Sequence, residues 1–179
     1  AAERCRQAAE RLDEPVPLAV ADWCRAHAAF AAGSYTRALN LTTRAIDSLD
    51  RGLVEPGARE VLGMLHLTSA VAALPRRPDD AQAHVAEAVN LAQRTGESDA
   101  WGMGFGPSNV AVWAMTTDID TGWPDRAVQA ARAVDVSRLT VARGASYYVE
   151  LSRALSDLDK DEEAVRMLLA AERAAPQLT

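Results

Sequence analysis

Gly33-Ser34-Tyr35-Thr36-Arg37-Ala38 decides the fold, because the same cassette returns three more times along the chain. The other copies are Pro78-Asp79-Asp80-Ala81, Gly122-Trp123-Pro124-Asp125-Arg126-Ala127 and Asp159-Lys160-Asp161-Glu162-Glu163-Ala164. Each is a turn, then an alanine three to five residues into a new helix, then apolar residues at helical spacing. Anchored on Ala38, Ala81, Ala127 and Ala164, the intervals are 43, 46 and 37 residues. Self-similarity in this range means stacked helical hairpins, and a stack of hairpins is usually a surface for holding something rather than a catalyst.

Proline and glycine set the boundaries around these anchors. A leading helix over about 1–13 carries Cys5, Ala8, Ala9 and Leu12 on one stripe. Because the chain opens directly in helical pattern and without Met, further residues are expected before Ala1. Pro15 and Pro17 end that helix and begin the next, since Pro disfavours helix in the residue before it and suits a first turn. Four hairpins follow, over about 16–51, 58–95, 107–134 and 140–175, within a single repeat domain covering 1–179. In the first, Ala38, Leu41, Ala45, Ile46 and Leu49 form the apolar stripe of an amphipathic helix. Gly52 to Gly57 reads as a loop, and the glycines at 102, 104 and 106 make the stretch between Gly96 and Pro107 irregular. Pro176 ends the pattern, and no alternating strand-like segment appears, so the expected class is all-α.

Composition agrees. Hydrophobic residues make up 49% of the 179 residues but aromatics only 5%, so alanine, leucine and valine supply most of the apolar surface. Alanine costs least in a helix and lets backbones approach closely. The formal charge of −6, with Lys160 the one lysine, argues against a protein that grips a phosphate backbone. No apolar run approaches a membrane span, no signal peptide is visible, and Cys5 and Cys24 make no disulfide framework. The expectation is a cytoplasmic protein with no membrane partner.

Several constellations could carry chemistry. Cys24 and His27 stand at i, i+3 and could share a helix face as metal ligands, but Cys5, His66 and His84 lack a supporting motif, so no metal is expected. Gly102-Met103-Gly104-Phe105-Gly106 follows no strand and ends in no Gly-Lys-Ser/Thr, which makes it loop geometry rather than a phosphate cradle. Asp118, Asp120 and Asp125 flank a turn without the ordered ligand series of a calcium loop. Arg76-Arg77 reads as a solvated loop. No nucleophile, base and orienting group stand out together, so the reading is not an enzyme, with no cofactor and no catalytic residue.

In stacked hairpins the first helices line the inner, concave surface, so inner residues recur at fixed offsets before each anchor alanine. Fifteen residues before stand Trp23, His66, Val112 and Val149; eleven before, His27, Ala70, Thr116 and Arg153; eighteen before, Val20, Gly63, Asn109 and Ser146. From these columns Trp23, His27, His66, Asn109, Thr116 and Arg153 are expected on a common concave face. Asn109 and Arg153 would be its strongest polar anchors, because Asn can pair both polar groups of a peptide unit and Arg can clasp a carboxylate. Trp23 would supply a flat apolar wall, and the histidines a dependence on pH. The other reading of the same residues is that Trp23 and the histidines fill gaps between repeats.

The cassettes resemble tetratricopeptide repeats. A small residue stands near the start of each second helix, another seven on at Ala45, Ala88, Val134 and Ala171, and Pro176 lies just past the last helix. The likeness covers nearly the whole chain, although the repeats are longer than usual and most lack the tryptophan and glycine of the first helix. It implies a right-handed superhelix of antiparallel hairpins. The last eighty or so residues also resemble the C-terminal part of actinobacterial helix-turn-helix regulators of the XRE type. The matching stretches are Phe105-Gly106-Pro107-Ser108-Asn109-Val110, Asp135-Val136-Ser137-Arg138-Leu139, Tyr148-Val149-Glu150-Leu151-Ser152-Arg153-Ala154, Glu162-Glu163-Ala164-Val165 and Leu168-Leu169-Ala170-Ala171-Glu172-Arg173-Ala174-Ala175-Pro176. This likeness implies the sensory half of a transcriptional regulator, binding a peptide or small-molecule effector, or a segment of a partner protein, in its groove. DNA would be met only through an absent N-terminal domain, since no recognition helix is present, and paired half-sites would favour a homodimer. The alternative is a general protein-interaction scaffold with no transcriptional role.

Overall fold

The computed structural model describes residues 2–12, 14–49 and 56–177. Ala1, Asp13 and most of the expected loop at 52–57 lie outside the described residues. Among the described residues there are nine α-helices: α1 (Ala2–Leu12), α2 (Pro15–Ala31), α3 (Tyr35–Leu49), α4 (Ala58–Ala73), α5 (Pro78–Thr95), α6 (Pro107–Asp120), α7 (Pro124–Ala131), α8 (Val141–Ser156) and α9 (Asp161–Ala174). The described residues include no strand, only an isolated antiparallel bridge between Ser98 and Phe105. The chain is therefore all-α. Helix α1 packs on α2, and α2 with α3, α4 with α5, α6 with α7 and α8 with α9 form the four hairpins.

Local chemistry explains where each helix stops and starts. Gly33, Gly122 and Asp159 have φ of 72°, 83° and 57°, and each stands five residues before its anchor alanine. At each, two backbone bonds close the preceding helix. Gly33 N–H donates to Phe30 O and Ser34 N–H to Ala29 O, both at 2.8 Å. Gly122 and Trp123 donate in the same way to Ile119 and Asp118, and Asp159 and Lys160 to Ser156 and Leu155. This is the Schellman closure, which needs a left-handed residue that Gly adopts freely and Asp tolerates. The turn after α4 differs: Arg76 and Arg77 both donate to Ala73 O, and Pro78 opens α5. Pro15, Pro107 and Pro124 likewise open α2, α6 and α7, where a missing N–H costs nothing.

The sequence reads as one repeat domain, whereas the helices cluster into two compact units, one ending at Phe105 and one beginning at Gly106. In the first unit α4 is the central helix, packed against α2, α3 and α5, with Val61, Leu65, Leu67 and Ala70 at most 1% exposed. Phe105 closes this core: it is fully buried, and its ring fills the space a Cβ on Gly63 would need. In the second unit Met115 and Ile119 of α6, Ala127 and Ala131 of α7 and Ala154 of α8 form a buried cluster flanked by Val128, Tyr147 and Leu151.

All four anchor alanines are buried, Ala38, Ala81 and Ala127 completely. Ala45, Ala88 and Ala171, seven residues on, are buried as well, while Val134 is half-buried just beyond α7. The second helix of each hairpin thus buries a small residue near its start.

Candidate functional site

In each unit the first helices of successive hairpins touch, α2 with α4 and α6 with α8. Both seams carry polar groups and rings where apolar packing alone would suffice.

In the first unit, Trp23 and His27 stand one helical turn apart on α2. Their rings meet edge to face with centroids 4.4 Å apart. The Trp23 indole N–H donates to Thr68 Oγ1 on α4 at 3.1 Å, and His27 Nε2 lies 3.3 Å from the same hydroxyl. Thr68 Oγ1 donates in turn to Met64 O at 2.9 Å. Its one proton is thus committed to its own helix, and the hydroxyl faces Trp23 and His27 as an acceptor. His66 turns the other way, toward α5, where its Nδ1 lies 2.9 Å from Nδ1 of His84.

One proton fits between those two nitrogens, so one ring donates and the other accepts. Burial is the main cause that lowers the His84 pKa, with Arg77 lowering it further while Asp80 and Glu87 oppose. A folded pKa below the unfolded one means stability that is present above the unfolded value and lost as pH falls through the folded value. The thermal midpoint of the first unit should therefore fall between about pH 7.5 and pH 5, the range in which imidazole titrates. In His84→Asn the fall should be shallower; a melting series giving both proteins the same slope would remove the pair from the pH response.

In the second unit α6 supplies Trp113, Thr116 and Asp120, and α8 supplies Arg143, Glu150 and Arg153. The Arg143 guanidinium lies over the Trp113 ring, 4.8 Å from its centroid. Arg153 forks between two carboxylates, donating to Glu150 Oε2 at 2.7 Å and Asp120 Oδ1 at 2.6 Å. Burial pushes the Glu150 carboxyl up, with Asp120 adding to this, while Arg153 and a hydrogen bond with Thr116 pull it back. Burial lowers the Arg143 pKa, and Glu150 opposes the shift. The result is a half-desolvated charge cluster beside an indole face, open to solvent at Arg153, whose side chain is 45% exposed.

The six residues singled out in the sequence thus divide between the units. Trp23 and His27 fall on the first seam, and His66 belongs to the His84 pair on the other side of α4. Thr116 and Arg153 fall on the second seam. Asn109 does not serve as an open anchor: it is 3% exposed in the first turn of α6. Arg153 is not an uncommitted clasp, because both arms of its fork are already on carboxylates. Burial raises the Cys24 thiol pKa, and Cys5 on α1 adds to the shift. Asp118 and Asp120 pair with Arg126 and Arg153. Arg76 reaches Thr36, and Arg77 pairs with Asp80. No group of three or more His, Cys, Asp or Glu among the described residues could hold a metal ion. None of their helices is long and apolar enough to cross a membrane.

Thr68, His84, Trp113, Arg143 and Glu150 were not singled out in the sequence. The spacing of Glu150 and Arg153, i and i+3 on one helix, was the one signal available for any of them. A cleft of about 680 Å³ was also missed: Arg25, Arg37 and Arg44 line it with Ser34, Thr36, Asn40 and Thr43. Arginines that look scattered along the chain converge there, because α2 and α3 fold back on each other.

No family model matches the chain, and none of the curated proteins does. Among solved structures, the chain is similar to the crystal structure of BtubC (BKLC) from P. vanneervenii, with a TM-score of 0.64 and 15% sequence identity. The match covers 92% of this chain and 66% of that one, so this chain spans a little less than two thirds of its length. At that identity the likeness speaks for the helical fold alone.

Proposed function

We propose that this chain is a tetratricopeptide-like binding domain that holds a peptide or small-molecule effector along the seams between its first helices. The observation that carries the reading is the repetition of one device in both units. Each contact between first helices bears a tryptophan beside a basic ring or guanidinium, together with a hydroxyl and hydrogen-bonding groups. Packing would be served more cheaply by aliphatic side chains, since polar groups at a helix contact must each find a partner. Trp113 under the Arg143 guanidinium offers an indole and a charge side by side, and Arg153 stands at the solvent edge as the group a ligand meets first. Its right-handed superhelical form and its place as the sensory part of a helix-turn-helix regulator rest on the sequence resemblance.

The test uses the whole chain on an arrayed library of short peptides, alongside native mass spectrometry of the chain drawn from its source cells. The parent should retain a defined subset of peptides or carry a bound small molecule. Arg153→Ala should weaken that retention by about tenfold, the size expected for one charge-assisted hydrogen-bonding group. Glu150→Gln keeps the shape of the cluster and should change ligand preference toward acidic species. Retention of nothing by the parent, or equal retention by parent and both variants, would remove the seam as the site.

A further inference from the structure

The two cysteines stand on different helices, Cys5 exposed on α1 and Cys24 half-buried on α2, and both are free thiols. Two ion pairs fix the register between these helices. Glu3 lies opposite Arg25 at 3.7 Å, and Arg6 opposite Asp22 at 2.9 Å. In an antiparallel pair of helices that register places residue 5 across from residues 23 and 24. Cys5 is also among the neighbours that raise the Cys24 thiol, as a group lying close to it would. Burial raises the Cys24 thiol pKa, and the neighbouring Cys5 adds to it, so the exposed Cys5 is the sulfur an oxidant reaches first.

We propose that Cys5 and Cys24 form a reversible disulfide that staples α1 to α2 when the protein meets a hydroperoxide. The Cys5 thiolate attacks the peroxide: an S–O bond forms, the O–O bond breaks, and hydroxide leaves to be protonated to water or, from an organic peroxide, an alcohol. Cys24 then attacks the Cys5 sulfur, giving up its own proton. The S–S bond forms, the S–O bond breaks, and water leaves. Two thiols lose two electrons and one hydroperoxide gains them; a small dithiol reverses the change. The staple matters for α1 in particular. Ala9 is its buried residue among those described, and the two ion pairs that join it to α2 lie near the surface, where such pairs hold a helix weakly.

The experiment treats the whole chain with hydrogen peroxide and reads intact mass, free thiols and amide hydrogen exchange. The mass should fall by two hydrogens per chain, both thiols should disappear, and a peptide joining Cys5 to Cys24 should be recovered without reductant. Exchange over residues 2–12 should slow by about tenfold or more, as for a segment moved out of the fraying class, and dithiothreitol should restore it. In Cys24→Ser, Cys5 should instead stop at a sulfenic acid trapped by dimedone. A disulfide between two chains, oxygen addition at Cys5 of the parent without a cross-link, or exchange over 2–12 unchanged by the cross-link would each overturn the proposal.

Discussion

Phe105→Ala should lower the stability of the first unit by about 3–5 kcal/mol, the range for truncating a buried aromatic side chain. The ring is fully buried although it lies at the end of an irregular, glycine-rich stretch. What receives it is Gly63, in the middle of α4, where any Cβ would overlap the ring. Glycine in a helix interior costs up to about 1 kcal/mol relative to alanine, so its presence there needs a compensating contact, and the Phe105 ring is that contact. Gly63→Ala should then destabilise by about 1–3 kcal/mol through overpacking, against its favourable helix propensity. In the Phe105→Ala background the sign should reverse. The added methyl enters vacated space, and the double variant should be at least as stable as Phe105→Ala alone. Urea denaturation followed by hydrogen exchange at α4 amides reads all four corners of the cycle. Additive effects would mean that the ring and the glycine do not hold each other in place.

The same pair shows what the sequence could and could not convey. Helix boundaries were legible because their causes are local: a left-handed glycine, a proline in a first turn, an alanine at a fixed distance beyond. Asp159 behaves as a third left-handed closure at the position glycine takes in Gly33 and Gly122, and the cassette spacing already placed it. Gly63 and Asn109 share an offset of eighteen before their anchors, and the column reading put Asn109 on an open face. Both positions are buried. A first helix meets its own partner on one side and the next first helix on another, so helical spacing alone does not separate a lining position from a packed one. Val112 and Ala70, from the other two columns, are buried for the same reason.

Charge was harder to read than burial. The sequence sets Arg153 on the concave face as a clasp for a carboxylate, and the structure places it between α6 and α8. Its two arms are spent on Asp120, one repeat earlier, and Glu150, one turn earlier. The distant partner follows from tertiary packing, and nothing within α8 announces it. Trp113 with Arg143, and Cys5 with Cys24, were invisible for the same reason: each pair comes from separate helices whose register is set only by the folded stack.

Ala127→Leu should destabilise the second unit by about 1–3 kcal/mol, the cost of forcing extra methylenes into a packed contact. Ala127 is fully buried at the start of α7, within the cluster that joins Met115 and Ile119 of α6 to Ala154 of α8. Ala154 is also fully buried, so the contact has a small residue on α7 and another on α8, and neither helix can yield without disturbing the other. Gln129, exposed on the same short helix, supplies the control. Gln129→Leu adds comparable bulk on the solvent side and should leave stability within about 0.5 kcal/mol. Leucine and alanine differ little in helix propensity, so a large difference between the two variants can come only from the space around Ala127. Because α6 and α8 carry the seam on their other faces, a leucine at 127 that spreads them should also shift the Trp113 fluorescence that reports Arg143 overhead. If both variants melt with the parent and the Trp113 signal stays in place, the anchor alanines are tolerant surface and do not set the spacing of the hairpins.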